Sequence, residues 1–169
     1  PYSYSFIIVD DGSTDTTLDI LRGAAAADKR IRYISLSKNF GHQNALKAGL
    51  DHARGDCVIT MDGDLQHPPE LIPTLLKHWE DGYDVVYTLR QDDEANTGYF
   101  KRTTSNLFYR IMNRLAGLEM EKGSADFRLL NKKVLYILQG IEEHEVFFRG
   151  LVKWVGFRQI GVKYKANAR

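Results

Sequence analysis

Over its first ninety residues the chain alternates short apolar runs with amphipathic segments, and turn-forming residues mark each junction. Phe6-Ile7-Ile8-Val9 is a continuous apolar run closed by Asp10-Asp11-Gly12-Ser13, the pattern of a strand buried on both faces. A helix is expected next, capped by Ser13 or Thr14, with Asp15 in its first turn and Leu18, Leu21 and Ala25 as its apolar stripe ahead of Asp28-Lys29. Ile31 to Leu36 is a second strand, and Lys38-Asn39-Phe40-Gly41 is a loop. From His42 to Ala53, Ala45, Leu46, Gly49, Leu50 and Ala53 recur at helical spacing, and Gly55 stops that helix. Cys57 to Met61 is a third apolar strand. It breaks into Asp62-Gly63-Asp64-Leu65-Gln66-His67-Pro68-Pro69, where the prolines suit a helix start because first-turn N–H groups lack partners anyway. Ile72, Leu75, Leu76 and Trp79 then form one helical face, Gly82 ends it, and Asp84 to Thr88 is a short fourth strand.

Strand and helix alternate three times, which argues for an α/β fold with a parallel sheet covered by helices on both faces. Ligands of such sheets sit beyond the carboxyl ends of the strands, and both Asp10-Asp11 and Asp62/Asp64 fall there. After Arg90 come a polar loop, Gln91 to Gly98, and a long amphipathic helix from about Tyr99 to Ala116 with Lys101, Arg102, Arg110 and Arg114 off its apolar side. Then follow Gly123-Ser124-Ala125-Asp126-Phe127-Arg128, a short helix at Lys132 to Gln139, the segment Phe147 to Gly156, and a strand-like run from Phe157 to Tyr164. No repeat or linker interrupts the chain, and 169 residues leave room for one core, so a single domain over 1–169 is expected.

Composition adds exclusions. A formal charge of +1 provides no global field for nucleic acid. Cys57 is the single cysteine, so no internal disulfide forms; its apolar surroundings suggest a buried free thiol in a reducing, cytosolic setting. No run approaches the roughly 18 apolar residues of a bilayer span, and no export signal is seen. The chain opens on Pro1 and enters a strand-like run almost at once, so it reads as a fragment.

Asp62-Gly63-Asp64 is the strongest chemical signal. Two carboxylates one residue apart at a strand end suit a hard divalent cation that keeps positions open for diphosphate oxygens, and Gln66 adds a neutral oxygen. An ordinary Asp-Gly turn is the plain alternative. A calcium loop is excluded, because its sixth and twelfth positions hold His67 and Pro73 in place of glycine and glutamate. Asp10-Asp11 suits hydrogen bonding to a base and ribose, and helix capping explains it equally well. Neither the Walker phosphate loop nor the glycine-rich dinucleotide fingerprint is present. The five histidines, His67 among them, show no metal-ligand spacing and are assigned no chemistry.

Ile8-Val9-Asp10-Asp11-Gly12-Ser13-Thr14-Asp15, Asn39-Phe40-Gly41 with Ala45 and Gly49, and Asp62-Gly63-Asp64-Leu65-Gln66-His67-Pro68-Pro69-Glu70 together resemble glycosyltransferase family 2. Gly123 to Arg128 and Arg149-Gly150-Leu151-Val152-Lys153-Trp154-Val155-Gly156 resemble its polyprenyl-phosphate sugar transferases, the dolichyl-phosphate mannose synthase and bactoprenol glucosyltransferase group. The resemblance implies a GT-A fold that moves a hexose, with inversion, from a UDP- or GDP-sugar to a polyprenyl phosphate. By that resemblance Asp10, Asp11, Lys38 and Asn39 lie at the nucleotide, Asp62 faces the nucleotide sugar, and Asp64 with Gln66 holds Mg²⁺ or Mn²⁺. Arg128 and Arg149 become phosphate clamps. Asp126 stands where relatives with hydroxyl acceptors keep their base; here it orients the acceptor or balances an arginine, and a surface pairing with Arg128 is the plain alternative.

The basic helix from Lys101 to Arg114 is a candidate contact with an anionic membrane surface, against a solvated face, and the catalytic domain is expected at the cytoplasmic side of the cell membrane. Relatives start with an earlier strand and continue into membrane helices, both absent here, which is expected to leave an apolar edge beside Phe6 to Val9. A saccharide acceptor in cell-wall, capsule or O-antigen synthesis, and a nucleotide-sugar-binding module without turnover, are the two alternatives. Self-association into a homo-oligomer is left open.

Overall fold

A computed structural model describes residues 2–91, 123–141 and 148–165. The chain divides into two compact units, Pro1–Gly55 with Ile137–Val146, and Asp56–Tyr136 with Phe147–Arg169. The basic amphipathic helix expected over Tyr99 to Ala116 lies outside the described residues.

In the first unit, strand β1 (Phe6–Asp10) pairs in parallel with β2 (Ile31–Ser35), with Asp10 opposite Ser35 at the carboxyl ends. Helix α1 (Thr17–Ala27) packs on β2 and α2 (His42–His52) on β1. Helix α1 starts later than the expected Ser13 or Thr14 cap. The Ser13 N–H is taken by Asp10 and the Thr17 N–H by Asp15 Oδ1 at 2.9 Å, so side-chain turns occupy the residues on which a helix would nucleate. Phe6 and Ile8 on β1 are exposed, so this strand is not buried on both faces as its continuous apolar run suggests.

In the second unit, β3 (Cys57–Thr60), β4 (Val85–Arg90), β5 (Ser124–Asn131) and β6 (Gln159–Tyr164) form one sheet in the order β3-β5-β4-β6. Strands β3, β4 and β6 run the same way, but β5 lies antiparallel between β3 and β4, so the sheet is mixed. The short 3₁₀ turn Pro69–Leu71 leads into α3 (Ile72–Glu80), which places Leu75 on a core of Val86, Phe127 and Leu129. Trp79, Ile59 and Cys57 pack around it; Cys57 is half-buried, and burial pushes its thiol pKa up. Helices α4 (Lys132–Gln139) and α5 (Phe148–Trp154) bury Val134, Leu135 and Leu138, and Phe148 and Val152. No helix among the described residues is long and apolar enough to cross a membrane.

Strand β5 is irregular where it matters. Tyr87 pairs with Arg128, yet Leu89 pairs with Ser124, so β5 carries two more residues than β4 over this stretch. Three successive carbonyls there are met by side chains. Arg128 Nη2 donates to Ala125 O at 2.9 Å, Thr60 Oγ1 to Asp126 O, and Thr88 Oγ1 to Phe127 O at 2.8 Å. Buried polar groups left without partners cost free energy, so the two threonines maintain the bulge. Thr88→Val, at a fully buried position, should lower unfolding stability by about 1–3 kcal/mol in urea titrations, because the Phe127 carbonyl loses its donor.

Candidate active site

The four residues expected at a nucleotide lie on two touching loops of the first unit. Asp10, buried at the end of β1, accepts from the Ser13 N–H at 3.1 Å and from Ser35 Oγ at 3.3 Å. Hydrogen bonds from Ser13 hold its carboxyl below the usual value, against the opposing effect of burial. Asp11 grips the other loop, accepting from the Phe40 N–H at 2.7 Å and the Gly41 N–H at 2.9 Å. A Cβ on Gly12, whose φ is +73°, would lie 2.4 Å from the Lys38 carbonyl carbon, so the loops meet only because residue 12 lacks a side chain. Lys38 Nζ stands 5.1 Å from the centre of the Phe40 ring, and Asn39 Oδ1 accepts from the Gly41 N–H at 3.0 Å.

In the second unit the acidic loop leaves the carboxyl end of β3. The Asp62 N–H donates to His67 Nδ1 at 3.1 Å, and the Gln66 N–H to Asp64 Oδ1 at 3.1 Å. Between them Leu65 has φ of 65° and is 83% exposed. Arg90 Nη1 donates to Gln66 Oε1 at 3.0 Å, so the neutral oxygen expected at a metal ion also serves a guanidinium. Tyr164, at the end of β6, feels Asp62, Asp64 and Arg90; burial is the largest cause of its raised phenol pKa. Among the described residues no three His, Cys, Asp or Glu side chains form a self-sufficient metal cage. The donors on the loop are hard oxygens from two carboxylates, which fits an ion of the Mg²⁺ class that shares its sphere with phosphate oxygens and water.

The three residues expected at the acceptor form one cluster, with Asp126 and Arg128 buried and Arg149 partly exposed. Asp126, 2% exposed, receives Arg149 through Nε at 3.0 Å and Nη2 at 2.8 Å, one bond to each carboxylate oxygen. Arg128 Nη2 adds a third bond to Oδ1 at 3.2 Å. The pairing of Asp126 with Arg128 is therefore internal and shared with Arg149, not a surface decoration. Burial pulls the Arg128 guanidinium below its ordinary pKa, the Asp126 carboxylate raises it, and Arg149 lowers it again. Among the described residues its Nε is buried without a hydrogen-bond partner. Tyr87, Ser124, Arg128, Arg149, Lys153 and Gln159 line a small cavity, with Lys153 Nζ 5.7 Å from the centre of the Tyr87 ring.

The motifs pointed to these loops, but not to the groups that hold them. Thr60 and Thr88 carry no sequence signal at all. His67 reads as a lone histidine before two prolines, and Lys153 as one basic residue on a short helix.

Residues 1–138 match the protein family described as Glycosyl transferase family 2. An uncharacterized glycosyltransferase of Bacillus subtilis, YkcC, is 40% identical over 167 residues, 99% of this chain and 51% of that protein. The bactoprenol glucosyl transferase of Shigella phage SfV is 38% identical over 164 residues, 97% of this chain and 53% of the relative. The chain thus spans about half the length of the curated relatives it matches. A mannosyltransferase from Pyrobaculum calidifontis, solved with GDP-Man and Mn²⁺, superposes with a TM-score of 0.61 at 19% identity, over 94% of this chain and 45% of that one. The fold is GT-A, with a mixed sheet.

Two outcomes follow from this geometry. Asp126→Asn removes the carboxylate charge that two guanidinium groups share, and should cost about 3–5 kcal/mol in denaturant unfolding; Arg149→Gln should cost less, because that side chain is partly exposed. Asp10 has a depressed pKa when folded, so its contribution is complete above the unfolded value of about 3.9 and is lost as pH falls through the lower folded one. Asp10→Asn should therefore be less stable than the parent at pH 7, and the gap should shrink as unfolding midpoints are followed down to about pH 3.

Proposed function

We propose, since the chain belongs to glycosyltransferase family 2, that its protein transfers a hexose with inversion from a UDP- or GDP-sugar to a polyprenyl phosphate at the cytoplasmic face of the cell membrane. Residues 1–169 then belong to one catalytic domain. The observation that carries the acceptor assignment is Arg128, a buried guanidinium with an unpartnered Nε, beside Arg149 and Lys153 in one cavity. One buried and two partly exposed cations lining one cavity suit an anion, and a phosphate is an anion that guanidinium groups hold well. The name of the 38% identical phage relative supports a bactoprenol-type acceptor.

In this reaction an acceptor phosphate oxygen forms the new bond to the anomeric carbon, and the nucleoside diphosphate leaves from the opposite face with the bonding electron pair. The acceptor is already ionised at neutral pH, so no strong base is needed. That agrees with Asp126, both of whose oxygens are committed to arginines. Arg128 and Arg149 position the phosphate, and Asp126 fixes the guanidinium planes. Asp11, with Lys38 and Asn39 on the loop it holds, binds the nucleotide, and Asp10 locks the turn behind it. Asp62 faces the donor, and Asp64 with Gln66 would hold Mg²⁺ or Mn²⁺. When bound, that ion supplies positive charge to the departing diphosphate.

The whole protein, assayed with labelled nucleotide sugars and undecaprenyl phosphate with and without EDTA, tests this reading. Turnover should need the lipid phosphate and stop with EDTA. Asp64→Asn should lower turnover roughly hundredfold, and Arg149→Ala should raise KM for the lipid phosphate about tenfold while the donor KM stays nearly constant. Transfer to an oligosaccharide in preference to lipid phosphate would refute it.

A further inference from the structure

We infer that His67 is a positioning residue whose ring nitrogen clamps the acidic loop in its working shape; this rests on the reading that Asp62 and Asp64 serve the donor and its metal ion. A backbone N–H only donates, so the bond from Asp62 N–H to His67 Nδ1 at 3.1 Å makes Nδ1 the acceptor and places the ring proton on Nε2. The ring itself is held from the core. It is 8% exposed, stacks on Phe127 with centres 5.3 Å apart and planes 23° apart, and meets the Tyr164 ring edge to face at 6.1 Å. Phe127 is fully buried in β5, between Leu75, Val86 and Leu129. The chain of contacts therefore runs from the rigid centre of the sheet, through one imidazole, to the backbone of Asp62.

The loop needs such a clamp. Leu65 is held at φ 65°, a conformation that a leucine side chain rarely adopts, and the Asp64 carboxylate is turned back onto the Gln66 N–H. A loop strained in its middle relaxes unless its ends are fixed. The hydrogen bond from Asp62 to His67 spans that middle and fixes them. His67 Nε2 lies 3.8 Å from Asp62 Oδ2, beyond hydrogen-bonding distance, so the ring's hydrogen bond is to the Asp62 backbone.

The test compares His67→Phe, which keeps the aromatic stack and loses the acceptor, with His67→Asn, which places an acceptor oxygen near the Nδ1 position. In the whole protein, Mn²⁺ binding in the presence of UDP or GDP, followed by electron paramagnetic resonance, should weaken about tenfold in His67→Phe and recover in His67→Asn. The Mn²⁺ concentration for half-maximal transfer should move in step, while kcat at saturating Mn²⁺ changes little. Equal Mn²⁺ affinities in the two variants would overturn the inference. Should His67→Phe fail to fold, long-range ¹H–¹⁵N spectra of the unaltered protein decide: an unprotonated Nδ1 supports the clamp, and a protonated one ends it. Asp64→Asn separates the two readings. If it leaves Mn²⁺ binding unchanged, the assignment of the acidic loop fails; if it weakens binding and His67→Phe does not, only the clamp fails.

Discussion

A carboxylate two per cent exposed must have its charge answered, and Asp126 is answered twice, by Arg149 across both oxygens and by Arg128 at one. Strand β5 departs from a regular ladder over the stretch that carries this group. The departure exposes three carbonyls in sequence to the interior, and each is satisfied by a side chain: Arg128, Thr60 and Thr88. Arg128 thus serves both sides of the problem, since the same Nη2 closes the backbone at Ala125 and neutralises Asp126. Regular pairing would leave these carbonyls to the neighbouring strands, and the hydroxyls of Thr60 and Thr88 would have no reason to be buried.

The loops at strand ends use a related device. Asp10 binds Ser13, Asp11 binds Phe40 and Gly41, and Asp64 binds Gln66, each through a backbone N–H. A carboxylate has about four acceptor positions, so one or two such bonds fix the loop without exhausting the group. The acids therefore shape the loops that present them. Asp62 is also tied through its backbone N–H, and that tie is an imidazole seated on the core.

Periodicity made β1 to β4 and the first three helices legible, because each carries one apolar run, alternation or stripe in sequence, even where, as at Phe6 and Ile8, the run stays exposed. Strand β5 was not legible as a strand. Ser124–Asn131 sets Asp126 and Arg128 among apolar residues, and buried charges that satisfy one another look, in sequence, like a polar loop. Its insertion also puts an antiparallel strand between β3 and β4, in a sheet whose strand–helix alternation suggested parallel strands. The α1 start was misplaced for a similar reason, since Asp10 and Asp15 compete locally for the N–H groups that a helix would order. Among the site residues, the paired acids were visible from spacing alone. The burial of Asp126, its sharing between two arginines, and the partners that fix the loops depend on residues far apart in the chain, which no local pattern reports.

The guanidinium cluster is better explained by ligand chemistry than by stability. Replacing a buried ion pair by well-packed apolar side chains is often neutral or favourable, so a fold has no energetic need for one. Here the arrangement is also incomplete among the described residues, because Arg128, which lines a cavity with Arg149 and Lys153, has a buried Nε with no acceptor there. A structural ion pair would be expected to satisfy its donors. Under the proposed reading, an acceptor phosphate at this cavity would take that donor and offset the cost of leaving it unpaired. Asp126 makes the unpaired donor tolerable, since it lowers the charge the interior must bear while keeping both guanidinium groups in fixed planes.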